Sequence, residues 1–131
     1  VLSSGTSHSA QYALAAMFKA ACDGEYNFLE TVREYGNRAK KMKAIFEKHG
    51  FHIVYDKDID QSIGDGFYFT VGYKDLTGGE LMYKLLFYGI SAISLDTTGS
   101  RQQGLRVCTS FIQDNQYDDL DQRLAEFAKE N

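Results

Sequence analysis

The stretch GLRVCTSF, Gly104–Phe111, decides the fold because it alternates apolar and small polar residues. A period of two is typical of a β-strand, whose successive side chains point to opposite faces of the sheet. The apolar row is predicted to face the core: Leu105, Val107, Thr109 and Phe111. The opposite row is Arg106, Cys108 and Ser110. A fixed positive charge is therefore expected in the middle of a strand whose other face is buried.

The second face of this strand admits two interpretations of Arg106. The strand FYFTVGY carries Tyr68, Thr70 and Gly72 on the corresponding face, so the surroundings are small and weakly polar. Arg106 is either an ordinary exposed arginine on the solvated side of an antiparallel sheet or an anion anchor. A guanidinium grips a carboxylate through two parallel hydrogen bonds, which lysine cannot match. A face of this kind suits another domain, a partner or a ligand packed closely against it.

Helices and strands are predicted around this strand in the order α-α-β-β-α-β-β-α. Ser7 or Ser9 caps a helix through AQYALAAMFKAAC. A long amphipathic helix follows from Tyr26 and ends at Gly50. Its apolar stripe is Phe28, Val32, Tyr35, Ala39, Met42, Phe46 and His49.

The period then changes to two in the strand that begins at Phe51, and a polar loop, DKDIDQSIGDG, leads into FYFTVGY. These two strands are expected to pair antiparallel. Thr77 and Glu80 have the capping-box spacing of the next helix, which Gly89 ends. The strand ISAISL, the loop DTTGSRQQ and the Arg106 strand precede a last helix. Its inward residues are predicted to be Tyr117, Leu120, Leu124 and Phe127.

This order predicts an α+β two-layer sandwich with a small, mostly antiparallel sheet of about four strands and helices on one face. The chain has 131 residues, 44% of them apolar, which suits a single domain. The net charge of −4 argues against a nucleic-acid partner. No apolar run approaches a membrane span, and the N-terminus does not resemble a signal peptide. The two cysteines, Cys22 and Cys108, are expected to be reduced thiols of a cytoplasmic protein.

Motifs for metal binding or catalysis are weak. Asp56, Asp58 and Asp60 have the spacing of the first calcium-loop ligands, but Gln61 and Phe67 stand where that loop needs Gly and Glu. The histidines do not have the spacing of a metal site, and His49 is expected at the edge of the core. We therefore expect no metal site and no catalytic residue in this chain.

The segment Tyr88–Ala128, YGISAISLDTTGSRQQGLRVCTSFIQDNQYDDLDQRLAEFA, resembles the C-terminal end of class I/II, fold type I aminotransferases, which use pyridoxal phosphate. In that family a strand of the type GVAAIPLS precedes a strand ending in a motif like YLRLCFA and a terminal helix. SAQYALAAMF resembles the helix by which the chain leaves the cofactor domain. DGFYFTV resembles the Gly-aromatic strand, whose aromatic residue two positions past the glycine is Tyr68 here.

The resemblance implies that Arg106 binds the α-carboxylate of an amino-acid or 2-oxo-acid substrate and that Tyr68 borders the substrate pocket. It implies residues 1–24 as an interdomain segment with a connecting helix and 25–131 as the small C-terminal domain. The parent enzyme would be a homodimeric transaminase. Its pyridoxal phosphate would be held mainly by a missing large domain, which also carries the Schiff-base lysine. The fragment alone is therefore expected to be inactive, and its opening, VLSSGTSHS, without an initiator Met, is expected to lie inside a longer chain.

Departures from the family pattern keep other functions open. The loop DTTGSRQQ lacks the family's frequent phenylalanine, and Ser94 stands near the usual place of a proline. A freestanding small-carboxylate-binding or regulatory α+β domain would also use Arg106. The same domain of a fold type I lyase or decarboxylase is the third alternative.

Overall fold

A computed structural model describes residues 5–64 and 66–131. The first four residues of the predicted Ser-rich start, and Asp65 of the predicted polar loop, lie outside the described residues. The chain divides into two compact units, the first ending at Arg33 and the second running over Glu34–Asn131. The second unit contains the sheet and the Arg106 strand.

The first unit contains helix α1, His8–Cys22. Ser7 takes the N-cap position as predicted, but its side chain makes no capping hydrogen bond, and its Oγ instead lies 2.8 Å from Oγ of Ser9. None of the residues of α1 is buried. Because no face of α1 is buried within this unit, the helix is explained by the high helix propensity of its many alanine residues.

Helix α2, Leu29–Lys48, is shorter than the helix predicted from Tyr26. Asn27 explains the later start, because its Oδ1 accepts a hydrogen bond from the backbone N–H of Leu29. The predicted stripe is buried only at Ala39, Met42 and Phe46. Its first members, Phe28 and Val32, remain exposed. Gly50 follows the helix with φ of +85°, a conformation that favours glycine, and turns the chain into the sheet.

The sheet has four antiparallel strands, which are β1 Phe51–Ile53, β4 Tyr68–Tyr73, β5 Ile93–Ser94 and β6 Leu105–Cys108. Their order across the sheet is β1-β4-β6-β5. The predicted pairing of the first two is confirmed, with Phe51 opposite Tyr73. The predicted polar loop between them contains a small hairpin of β2 Lys57–Asp58 and β3 Gln61–Ser62. Gly104 precedes β6 because a Cβ there would lie 2.6 Å from the carbonyl oxygen of Val71.

Two further helices cover the sheet. Helix α3, Gly78–Leu86, begins with the predicted capping box, in which Thr77 and Glu80 bond each other's backbone N–H groups. Helix α4, Tyr117–Glu130, buries all four residues predicted to face inward. Among the described residues no helix combines the length and the apolar character that crossing a membrane requires.

The core lies between one face of the sheet and helices α2, α3 and α4, so the predicted α+β two-layer fold is confirmed. The buried cluster joins residues of all three helices to the strands: Met42, Phe46, Leu81, Leu85, Leu120, Leu124 and Phe127 with Phe51, Phe69, Val71, Tyr73, Leu105 and Val107. Four aromatic rings meet at one end of this core, where Phe127 lies within 5.6 Å of the ring centroids of Phe51, Tyr73 and Tyr88.

The prediction that Phe111 faces the core was wrong. Leu105, Val107 and Thr109 are buried as expected, but Phe111 is 82% exposed. Strand β6 ends at Cys108, and residues 109–111 form a bend in which the alternation of the strand no longer holds. The alternation of side chains between the two faces of a sheet holds only where the backbone is extended, so it does not predict the position of Phe111.

Asp121 on α4 binds the end of α2. Its carboxylate accepts hydrogen bonds from Nζ of Lys48 at 2.7 Å and lies 2.7 Å from Nε2 of His49. The histidine side chain is only 10% exposed, which confirms its predicted place at the core edge. These two partners, Lys48 first, hold the pKa of the Asp121 carboxyl below its usual range.

We expect this contact to weaken in acid. A carboxyl group whose pKa is lowered by folding stabilises the fold above its unfolded pKa, and this stabilisation is lost as pH falls through the folded pKa. Asp121→Asn should therefore lower the urea midpoint at about pH 7, and its difference from the parent chain should shrink towards about pH 3. The exposed neighbour Asp118→Asn is the control. A difference that stays constant over this pH range would contradict the assignment.

Candidate functional site

Arg106 lies at the centre of the sheet face that points away from the core. Strand β6 is an inner strand, so Arg106 is flanked on both sides, by Thr70 of β4 and by Ile93 of β5. The neighbouring residues in the strand, Leu105 and Val107, are buried on the helix side. This alternation is the reason that the Arg106 side chain leaves the core.

The ring of Tyr68 supports the guanidinium. Its centroid lies 4.4 Å from Cζ of Arg106, within the range of a cation–π contact. The pairing of β4 with β6 places Tyr68 opposite Cys108 and Thr70 opposite Arg106, so the two side chains are diagonal neighbours on one face. The Tyr68 side chain is itself 48% exposed. One side of the guanidinium is therefore covered by an aromatic ring, and the ring remains accessible at the surface.

The guanidinium has no anionic partner among residues 5–64 and 66–131. Its one described interaction is the contact with Tyr68. Arg38 and Arg123, by contrast, each pair with a carboxylate four residues away on the same helix. Arg106 is half-buried, and its planar fork of donors is free to bind a carboxylate in two parallel hydrogen bonds.

The polar side chains near Arg106 have hydrogen-bond partners other than Arg106. Thr70 Oγ1 accepts a hydrogen bond of 3.0 Å from the backbone N–H of Tyr55. Cys108 Sγ lies 3.1 Å from Oγ of Ser110. Each of these contacts involves a neutral group, whereas the Arg106 guanidinium carries a full charge and five N–H donors.

The residues of this face do not form a site for pyridoxal phosphate by themselves. The cofactor needs a lysine amine and a cradle of donors for its phosphate. Among the described residues, the strands place no lysine on this face; the residues that they place there are His52, Tyr68, Thr70, Gly72, Ile93, Arg106 and Cys108. The N-terminus of α3 is occupied by its own capping box. The described residues of this face therefore do not fit pyridoxal phosphate by themselves.

The described residues also bring together no group of three or more His, Cys, Asp or Glu side chains that could hold a metal ion. Asp58 lies in the β2–β3 hairpin, with Asp56 before it and Asp60 in its turn. His52 pairs across the sheet with Gly72, where its ring occupies the space of the missing side chain.

Both predicted site residues lie on one face, but their direct contact was not predicted. The sequence predicted that Arg106 and Tyr68 lie on the same face of the sheet, but it did not predict the register in which their two strands pair. Thr70 and Ile93 as flanking residues were likewise found only in the structure. The alternation of FYFTVGY had already placed Thr70 on this face, but its position directly opposite Arg106 depends on the strand register.

Neither a protein-family model nor a curated protein sequence matches this chain. Among solved structures, it is similar to the aminotransferase Aro9 from C. albicans, with a TM-score of 0.51 and 18% sequence identity. The chain has an aminotransferase-like fold. The match covers 74% of this chain but 24% of the aminotransferase, so the chain spans about a quarter of its neighbour's length. At this identity the likeness concerns the fold.

Proposed function

We propose that this chain is the small, C-terminal domain of a pyridoxal-phosphate-dependent aminotransferase and that Arg106 binds the α-carboxylate of its substrate. Residues 1–24 would connect it to the rest of the enzyme and residues 25–131 would form the domain. The parent enzyme, a homodimer, would transfer an amino group between an amino acid and a 2-oxo acid.

One observation carries the proposal: a half-buried guanidinium at the centre of a sheet face, stacked on Tyr68 and lacking a carboxylate partner among the described residues. Removing part of a charged group from water without a counterion is costly, so a half-buried arginine is favoured where an anion pairs with it. The aminotransferase-like fold supports an amino-acid or 2-oxo-acid substrate, because both carry the carboxylate that Arg106 would bind.

In this role Arg106 and Tyr68 would bind and orient, and they would not move protons. Two parallel hydrogen bonds fix both the position and the rotation of the carboxylate, which sets the α-carbon in one place relative to the reacting groups. Tyr68 would restrict the rotamers of Arg106 and shield one side of it from water. The group-transfer chemistry would depend on the cofactor held by the rest of the enzyme.

A freestanding carboxylate-binding domain is a second candidate. It is favoured by one feature, namely that Arg106 and the ring supporting it both come from this chain and from adjacent strands. Such a domain would need no further segment to bind a small carboxylate.

The coding frame upstream of Val1 distinguishes the two candidates. For an aminotransferase we expect an upstream domain of roughly 250 residues with a Ser-x-x-Lys-type motif and an acidic partner for the pyridine nitrogen, since these groups hold the cofactor. A frame that begins at this chain would contradict the enzyme and favour the freestanding domain.

A further inference from the structure

A polar groove of about 190 Å³ lies between α2 and the start of α4. One wall is a single face of α2, and the other is the turn that leads into α4 together with the first residue of that helix. The residues that line the groove are Glu34, Asn37, Arg38, Lys41, Asp114 and Tyr117. The groove lies on the helix side of the sheet, whereas the Arg106 guanidinium lies on the opposite face.

The hydroxyl of Tyr117 is a buried polar atom that has no hydrogen-bond partner in the part of the chain that the structure describes. The residue is 3% exposed and belongs to the core cluster. A hydroxyl group left unsatisfied in this way is costly, and a phenylalanine would bury the same ring without it. Burial and the carboxylate of Asp114 raise the pKa of this hydroxyl, whereas the guanidinium of Arg38 lowers it. The hydroxyl therefore points to the end of the ring where these two groove residues lie.

Two charged groups of the groove also lack an ionic partner. Nζ of Lys41 lies 3.9 Å from the centroid of the Tyr117 ring and forms no ion pair with a described carboxylate. The Asp114 carboxylate forms none with a described cation. Arg38, by contrast, pairs with Glu34 at 2.5 Å. The groove thus offers one ammonium group, one carboxylate and one buried hydroxyl that no described residue satisfies.

We propose that this groove binds a small zwitterion, namely a free α-amino acid. The carboxylate of the ligand pairs with Lys41 and accepts a hydrogen bond from the Tyr117 hydroxyl, and its ammonium group pairs with Asp114. A simple anion is repelled by Asp114 and a simple cation by Lys41, so a ligand that carries both charges complements the groove best. The exposed Lys41 side chain moves with the carboxylate as the ligand enters, a rotamer change of the kind that is common on binding.

The test uses glycine as the probe and the 131-residue chain with Arg106→Leu, which removes the carboxylate site proposed above. Glycine is expected to cause saturable shifts in the backbone amide NMR signals of residues 34–41 and 114–117, which border the groove. Acetate and methylammonium each carry one of the two charges of glycine, so they should bind about tenfold more weakly or less. Shifts that spread over the whole chain and rise linearly with glycine would contradict the proposal, as would acetate that binds as well as glycine.

Tyr117→Phe separates binding from a structural role of the hydroxyl. Without glycine its urea midpoint should equal or exceed that of the Arg106→Leu chain, because the hydroxyl has no partner to lose. Its affinity for glycine should fall about tenfold, since a hydrogen bond to a charged group is lost. Tyr83→Phe, at a residue that is 63% exposed on α3, is the matched control and should change neither quantity. A lower midpoint with unchanged affinity would overturn the assignment of the hydroxyl to the ligand.

Asp114→Asn tests the second charge of the ligand. Its affinity for glycine should fall about tenfold while its affinity for acetate rises, because an anion in the groove no longer faces a carboxylate. Asp75→Asn changes an exposed carboxylate outside the groove and is the matched control. If Asp114→Asn kept the preference for glycine over acetate, the groove would not recognise a zwitterion. Every measurement is made without the Arg106 side chain, so failure here leaves the proposed aminotransferase role to its own experiments.

Discussion

Replacing Arg106 by leucine in the proposed full-length aminotransferase is expected to lower kcat/KM for α-amino acids by about 30-fold to 1,000-fold. Removing one partner of a hydrogen-bonded charge pair costs about 2 kcal/mol or more, and each 1.4 kcal/mol is a factor of ten. Much of the loss should appear in KM, because the carboxylate is bound in the ground state as well as in the transition state. The visible absorbance of the bound cofactor should remain, because this face contributes no lysine to hold it.

Two further variants make the result specific. Arg106→Lys keeps the charge but loses the paired hydrogen bonds, so its kcat/KM should lie between those of Arg106→Leu and the parent enzyme. Arg101→Leu removes an exposed arginine from the loop before β6 and is the matched control. Unchanged kinetics in Arg106→Leu would contradict a carboxylate-binding role, whatever the reaction catalysed.

The helices, and the side chains of the central strands that point to the core, could be predicted because both depend on local periodicity. The four inward residues of α4 recur at helical spacing, and all four are buried. The capping box before α3 depends on only two residues, three positions apart. The position of Arg106 on the face away from the core followed from the alternation within its own strand, which needs no knowledge of the rest of the fold.

The contact between Tyr68 and Arg106 could not be predicted because it depends on register. More than 30 positions separate the two residues, and neither strand contains a signal that pairs Tyr68 with Cys108 rather than with another residue. A shift of the strand register by two residues would leave every side chain on the same face of the sheet but would separate Tyr68 from Arg106. The long-range pairing is set by how the core side chains of both strands pack together on the helices.

The early end of β6 was missed for a related reason. The sequence CTSF continues the alternation through Phe111, but the backbone bends after Cys108. Thr109 is held there by bonds from its backbone N–H and its Oγ1 to the carbonyl oxygen of Phe67. Such a bond joins distant segments, so the alternation alone cannot indicate where the strand stops.

Phe127→Ala is expected to cost about 3–5 kcal/mol of the free energy of unfolding, the largest effect on stability that we predict. The side chain is fully buried, and its ring packs against those of Phe51, Tyr73 and Tyr88. Removing it takes away a contact that joins α4 to two strands and to the turn after α3, and the surrounding rings cannot close the space completely. Urea unfolding of the 131-residue chain measures the change.

Phe111→Ala is the matched control for this substitution, since it removes the same atoms from a side chain that is 82% exposed. Its free energy of unfolding should stay within about 0.5 kcal/mol of the parent chain, the range of ordinary surface substitutions. A cost as large as that of Phe127→Ala would mean that Phe111 occupies the core after all. A small cost would agree with a strand that ends at Cys108 and leaves Phe111 exposed, so the two substitutions together test the end of β6 as well as the core.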